Sequence, residues 1–515
     1  MFYGDWLYRR ELLSPNKIAL IDSEKSDLEI TYLQWNRRVN RMAHFLQAKC
    51  GILKGDRISI YSNNRMEYLD ILFACNKLGA VLHVINWRLT VKNIMDIILE
   101  IDPKILVYSR DWSKQVQELK TDLGEHLWFV ALDDPEVTGE ISWKKEQDHW
   151  PETQPEPVEL DWEDPWVICY TGGTTGLPKG AILNYRAMTW NAINTIISWG
   201  LGAGDVIPHY MPMFHTGGIN VLFLPTVYIG GTTIFCKEFN IEQLFGQIGR
   251  LSITFFFGVP AMLLMLIQHP RWAEADLSKV RLVMAGGGNC PRVVYEAFWD
   301  KGVSFKEGYG LTEAGPNTFW LPDENAKEKV GSVGRPMFHV DVKIVSEDGK
   351  TLAPNQIGEL LIRGPHVFGG YWNRPHETAE VFTDAWLHTG DLAKVDQDGC
   401  YTIVGRLKDM IKSGGENIYP SEIEDILHSH PDILEAAVIP VPDYKWGEVG
   451  CGVVVIKPES GLNEERLTIW MKERMAGYKV PKTVKFRDSL PKTGANKVDK
   501  VALSEEYQAD HVKKG

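Results

Sequence analysis

The chain has 515 residues, too many for one ordinary hydrophobic core, so two or more domains are expected. Lys and Arg number 55 against 68 Asp and Glu; the net charge of −13 argues against general binding to nucleic acid or to an anionic membrane surface. The seven cysteines are scattered and form no Cys-x-x-Cys pair, which points to a reducing, cytoplasmic setting without structural zinc.

The N-terminal "MFYGDWLYRRELLSPNK" carries charges throughout and lacks the apolar core of a signal peptide. "TYLQWNRRVNRMAHFLQ" has helical apolar spacing, "DRISIYS" reads as a strand, and "MEYLDILFACNKLG" reads as a helix ended by Gly79. "AVLHVI", "NIMDIILEID" and "KILVYS" continue the alternation, which predicts parallel-rich sheets covered by helices. Residues 133–165 are acidic and Pro-rich and read as a surface connection. Residues 251–268, "LSITFFFGVPAMLLMLIQ", carry no charge and approach the length of a membrane span. Gly258 and Pro260 favour a buried strand followed by a helix with proline in its first turn, and no transmembrane segment. After Gly331 the chain turns to short β-segments, "HVDVKIV", "GELLIRG" and "CYTIVGR", expected to form a β-subdomain. Beyond Asp409 a small α+β unit follows, with Ser421 and Glu424 spaced as a helix-starting capping box. The fold class expected is α/β: a large N-terminal domain over 1–408 and a small C-terminal α+β domain over 409–515.

The stretch "YTGGTTGLPKGA", residues 170–181, places four glycines, three threonines and one lysine directly after the apolar run "PWVICY". Glycines let backbone N–H groups approach a ligand closely, and the hydroxyls and ammonium add donors for phosphate oxygens. It is not a Walker A loop, because Pro178 precedes Lys179 and Gly180 follows it. Downstream, "EGYGLTEAG" offers the flat face of Tyr309, the hydroxyl of Thr312 and, in Glu313, a hard oxygen ligand for magnesium. "HTGDLAKVDQDGCYTIVGRLKD" holds Asp391, able to accept from ribose hydroxyls, and Arg406, able to pair with phosphate or carboxylate. Lys497 lies in "LPKTGANKVDK". Taken singly, these read as a capped turn, a turn aspartate and a solvated lysine.

In this order, with "MPMFHTGG" and "SGGENIYP", the set resembles the adenylate-forming superfamily of acyl-CoA synthetases, amino-acid adenylation domains and beetle luciferases, over almost the whole chain. The resemblance implies an active site between a large domain and a small mobile one, with a hinge at Asp409. Thr171, Gly172, Gly173, Thr174, Thr175, Gly176 and Lys179 would embrace the β- and γ-phosphates of ATP. Gly287, Gly288 and Asn289 with Glu307, Gly308 and Tyr309 would enclose adenine, and Asp391, Ile403 and Arg406 would serve the nucleoside. Thr312 would touch phosphate, Glu313 would hold Mg2+, and Lys497 would bridge the carboxylate and the α-phosphate. His215 would stand where the acyl pocket meets the pantetheine tunnel, which Gly414 and Gly415 would line for CoA. The chain departs from the common pattern at Gly172, where Ser is frequent, at Asn496, where Gly is usual, and in the order "GGGN".

No aspartate stands near His215 to bind a substrate ammonium, so an amino acid is disfavoured. The apolar surroundings lead to a fatty or medium-chain acyl-CoA synthetase as the first expectation. An o-succinylbenzoate or other aryl-acid CoA ligase comes second. A luciferase-like oxygenase and a non-catalytic acyl- or nucleotide-binding protein complete the alternatives. The partners expected are a small carboxylic acid, ATP and coenzyme A, with a homodimer left open. From Tyr478 onward nine Lys/Arg face five acidic residues, a local excess able to attract CoA phosphates.

Overall fold

The computed structural model describes residues 4–123, 127–135, 140–172, 178–458, 460–492 and 498–512. Its largest sheet has seven strands in the order Ile141–Ser142, Trp128–Ala131, Ile105–Tyr108, Arg57–Tyr61, Val81–Val84, Pro165–Thr171 and Lys179–Asn184. All neighbours pair in parallel except the last two strands. Strands 81–84 and 105–108 are buried at every position, as expected of parallel strands covered on both faces. Helix Tyr32–His44 opens with a reciprocal capping box between Thr31 and Gln34. Helix Met66–Leu78 stops at Gly79, whose φ of +64° supplies the left-handed cap.

A four-stranded sheet, Val206–His209, Thr232–Phe235, Ile18–Asp22 and Leu28–Thr31, packs beside the first. The Thr254 N–H donates to Val206 O at 3.0 Å and links it to a parallel three-stranded sheet, Phe255–Gly258, Leu282–Ala285 and Ser304–Glu307. The carboxyl ends of its last two strands run directly into residues 286–290 and 308–313, the position at which open α/β sheets bind ligands. Residues 251–268 form strand Phe255–Gly258 and helix Pro260–Gln268 with proline in its first turn. No helix among the described residues is long and apolar enough to cross a membrane.

The β-rich part forms its own five-stranded sheet from Asp341–Val345, Gly358–Arg363, Trp386–Val395, Phe382–Thr383 and Tyr401–Arg406. The C-terminal part is another, of strands Ile411–Ser413, Glu416–Ile418, Ile433–Asp443, Gly447–Ile456 and Thr483–Phe486. Its two faces alternate along strand 433–443. Ala436 and Val438 meet helices Pro420–His428 and Glu464–Lys472, whereas Ala437, Ile439 and Val441 meet Leu503 and Tyr507 of helix Lys500–Val512.

Two expectations need correction. Ser421 and Glu424 form no capping box. Pro420 already occupies the first helical position and Tyr419 is the N-cap, so Ser421 sits two residues too far inside to cap. Ser421 Oγ instead donates to Val404 O, and Glu424 Oε1 accepts from Val438 N at 2.7 Å and pairs with Lys500 Nζ at 2.6 Å. The acidic stretch 133–165 is also less irregular than its composition implies. Ile141–Ser142 adds an edge strand, and Trp143, starting a short helix, buries its ring against Phe45.

Candidate active site

Asp391 lies on strand Trp386–Val395 directly opposite Arg406 on strand Tyr401–Arg406. Cross-strand register therefore makes the pair: Arg406 Nε stands 2.7 Å from Asp391 Oδ1. Tyr309 arrives from the loop after the three-stranded sheet and donates its hydroxyl to Asp391 Oδ2 at 2.5 Å. Asp391 is buried, held between a guanidinium and a phenol. Burial first, then the Asp391 charge, pushes the Tyr309 hydroxyl well above its usual range, so it remains a donor. Ile403 is on the same strand as Arg406, opposite Ala393 and packed against the main core.

A second cluster forms around Glu313 in the turn Thr312–Ala314. Glu313 Oε1 accepts from Thr171 Oγ1 at 3.2 Å and from Tyr371 OH at 3.0 Å. Thr171 and Lys179 pair across the mouth of the antiparallel hairpin that carries the glycine loop. Lys179 Nζ lies 5.2 Å from the centre of the Tyr371 ring. Gly172 faces open space, and Thr312 is buried. Gly173, Thr174, Thr175, Gly176 and Lys497 lie outside the described residues. Among the described residues no three His, Cys, Asp or Glu side chains gather as a metal site. A single carboxylate completed by phosphate oxygens is the arrangement magnesium favours, and Glu313 fits it.

Tyr371 was not singled out in the sequence. It reaches the site because residues 369–372 pair with strand Lys179–Asn184: Gly369 N donates to Ile182 O at 2.9 Å and Trp372 N to Gly180 O at 2.7 Å. Such a contact, 58 residues from Glu313, leaves no local signal beyond the pair of glycines before it.

The segment expected around adenine is placed in two ways. Gly287, at φ +83°, and Gly288 face away from close neighbours. Gly308 closes the last strand, its N–H donating to Ala285 O at 2.8 Å. Glu307, by contrast, turns inward. Its Oε1 accepts from Tyr295 OH and from Cys290 N at 3.0 Å, which ties down residues 286–290 from beneath. Burial pushes its carboxyl up to about 7. Asn289 reaches the other way: its Nδ2 donates to Asp425 Oδ1 at 3.0 Å on helix Pro420–His428, joining the C-terminal unit to the site.

His215 caps helix Thr216–Asn220, its Nδ1 accepting from Gly217 N at 3.0 Å. Gly218 follows because a Cβ there would lie 2.2 Å from Pro212 O. Gly414 and Gly415 occupy the turn before strand Glu416–Ile418 at φ +59° and +90°. A Cβ on Gly414 would meet the Trp446 ring at 2.4 Å, whereas Gly415 has nothing within 4 Å. The first glycine thus answers to packing and only the second borders open space.

The arrangement can hold a nucleoside at Tyr309, Asp391 and Arg406, and a phosphate chain with its cation at Thr171, Lys179 and Glu313. Only three residues separate Tyr309 from Glu313, so one loop serves both ends of a nucleotide.

Residues 9–372 match the AMP-binding enzyme family, and residues 422–497 match the C-terminal domain of AMP-binding enzymes. A feruloyl-CoA synthase of Amycolatopsis sp. is 39% identical over 96% of this chain and 97% of its own length. An indoleacetate–CoA ligase of Aromatoleum aromaticum is 36% identical over 97% of each chain. The crystal structure of ATP-bound MatB from Rhodopseudomonas palustris superposes with a TM-score of 0.91 at 29% identity, covering 99% of this chain and all of that one (100%).

Proposed function

We propose, from the premise that this chain belongs to the AMP-binding enzyme family and is an AMP-forming acid–thiol ligase, that it activates an aryl acid as an acyl-adenylate and passes the acyl group to coenzyme A. The single observation that carries the reading is the pair of clusters one loop apart, Tyr309–Asp391–Arg406 and Thr171–Glu313–Tyr371, spaced for the two ends of ATP. The aryl class is supported by the names of the two relatives, a feruloyl and an indoleacetate ligase. It replaces the fatty or medium-chain acid as the first reading.

In this scheme Asp391, oriented by Arg406 and Tyr309, accepts from the ribose hydroxyls. Lys179 and the glycine loop bind the phosphate chain. Glu313, whose Oε1 accepts from the Thr171 and Tyr371 hydroxyls, would hold the cation. Magnesium, when bound, neutralises phosphate charge and eases the departure of pyrophosphate. A carboxylate oxygen of the acid attacks the α-phosphorus, the bond to pyrophosphate breaks, and Lys497 balances the charge that develops. The thiolate of CoA then attacks the acyl carbon and AMP leaves with the attacking oxygen. We place the change between the two steps at Asp409, dividing the chain into 1–408 and 409–515, and assign Gly415 to the passage for the thiol arm.

The test is pyrophosphate release over a panel of aryl and straight-chain acids at equal concentration, followed by CoA addition. The proposal expects the highest kcat/KM with an aryl acid and an acyl-CoA product. A straight-chain acid ahead of every aryl acid contradicts the substrate class, and no pyrophosphate with any acid contradicts the activity.

A further inference from the structure

Ile97 and Ile101 of helix Val91–Ile101 pack against Ile168, with Tyr170 and Trp372 beside them. Glu100, in the last turn of that helix, accepts from two distant segments. Its Oε2 takes the Tyr170 hydroxyl at 3.1 Å and its Oε1 takes Arg374 Nε at 2.7 Å, while its backbone oxygen takes Asn373 Nδ2 at 3.2 Å. The Glu100 and Arg374 side chains are 19% and 31% exposed and border a cleft of about 290 Å3, so the pair stands at the edge of the packing and a substitution there is compatible with folding.

Both segments also carry a hydroxyl of the Glu313 cluster. Successive strand residues face opposite sides, so Tyr170 turns to the helix while Thr171 turns to Glu313. On the other segment Trp372 packs toward the helix and Tyr371 donates to Glu313. Strand Lys179–Asn184 lies between the two: Tyr170 stands opposite Gly180, and Tyr371 opposite Ala181. A Cβ on Gly180 would come 3.0 Å from the Tyr170 ring, so a glycine there lets the ring cross toward Glu100. A closed set of bonds ties Arg374 to Tyr371. Arg374 N donates to Tyr371 O at 3.2 Å, Thr378 Oγ1 to Arg374 O at 2.8 Å, and Tyr371 N to Thr378 Oγ1 at 2.9 Å. One carboxylate, Glu100, thus holds from the helix side the two segments whose hydroxyls a second carboxylate, Glu313, accepts.

We propose that Glu100 is a positioning residue for the adenylation step: by holding Tyr170 and Arg374 it sets the Thr171 and Tyr371 hydroxyls that orient the Glu313 carboxylate. The inference rests on the reading of Glu313 as the carboxylate that holds the cation. Magnesium demands near-ideal octahedral geometry, so a carboxylate that swings binds it less well. A glutamine at position 100 has one side-chain acceptor where glutamate has two, and cannot accept from Tyr170 and Arg374 together. Thioester formation from supplied acyl-adenylate involves no pyrophosphate, so it is spared.

The test uses the full chain with Glu100→Gln and with Tyr170→Phe, which loses only one of the two bonds and serves alone should the first not fold, each beside Glu313→Gln. Single-turnover pyrophosphate release with the best acid of the panel is followed over a range of Mg2+ at fixed ATP, and thioester formation is followed from supplied acyl-adenylate. Glu100→Gln is expected to slow adenylate formation about tenfold, to raise the Mg2+ needed for half-maximal rate about threefold or more, and to change thioester formation less than about twofold. Tyr170→Phe is expected to act in the same direction by a smaller factor. A role in folding alone would slow both half-reactions alike and leave the Mg2+ midpoint in place. That result, or wild-type behaviour in the variants, overturns the inference, and the cation site of the proposed function still stands if Glu313→Gln moves the midpoint. A midpoint that Glu313→Gln also leaves in place removes that site and this inference with it.

Discussion

Asp391 meets Arg406 and Tyr309, Glu313 meets Thr171 and Tyr371, and three of these four partners are legible in the sequence. Asp391, Arg406, Thr171 and Glu313 sit in short motifs whose residue types already match a nucleotide's groups. Tyr371 and Asp425 do not, because their contacts come from strand addition and from the packing of the C-terminal unit. The resemblance puts Glu307 beside the base, yet its carboxyl supports the loop from behind, a direction that no spacing reveals. That placement has a consequence for stability. The folded pKa, about 7, exceeds the ordinary 4.5, so the contribution is fully present below 4.5 and is lost as pH rises through about 7. Glu307→Gln keeps the group neutral at every pH. The stability of the variant relative to wild type should therefore rise between acid and mildly alkaline pH, by up to about 3 kcal/mol. Denaturant melts at several pH values measure it, and a pH-independent offset contradicts the placement.

Among the elements, the alternating strands and helices of the first 130 residues were legible because fully buried strands and capped helices write their period and punctuation into the sequence. Gly79 ends its helix as read, and Pro260 starts one. At 420–428 the spacing of Ser421 and Glu424 fits a capping box, but Pro420 takes the first helical position and sets the start. The glycine turn at 414–415 separates in the same way once its neighbours are known. Trp446 accounts for Gly414, whereas Gly415 faces space. Gly415→Leu is predicted to slow transfer to CoA at least about tenfold more than it slows single-turnover pyrophosphate release, through blockage and through the cost of a left-handed leucine, about 1–2 kcal/mol. Rapid-quench measurement of both half-reactions decides; equal slowing assigns Gly415 to folding alone.

At the scale of the whole molecule, the division into a large α/β part and a small α+β part followed from the change of texture along the chain. How the parts meet did not, because the contacts join side chains from separate segments: Ser421 donates to Val404 O, Lys412 pairs with Glu347, and Asn289 donates to Asp425 of the small unit. If that bond holds the arrangement used for adenylation, Asp425→Ala should slow acyl-adenylate formation about 3- to 10-fold, the worth of one hydrogen bond of about 1 kcal/mol, and slow thioester formation from supplied acyl-adenylate less. The reverse order places the contact in the other half-reaction. The central claim, that the acid's own oxygen attacks the α-phosphorus of ATP, is tested most directly by isotope transfer. An aryl acid labelled with 18O in both carboxylate oxygens is turned over with ATP and CoA, and the nucleotide product is weighed by mass spectrometry. The account predicts AMP carrying one 18O atom and unlabelled pyrophosphate. Unlabelled AMP, or ADP with the label in inorganic phosphate, would contradict it.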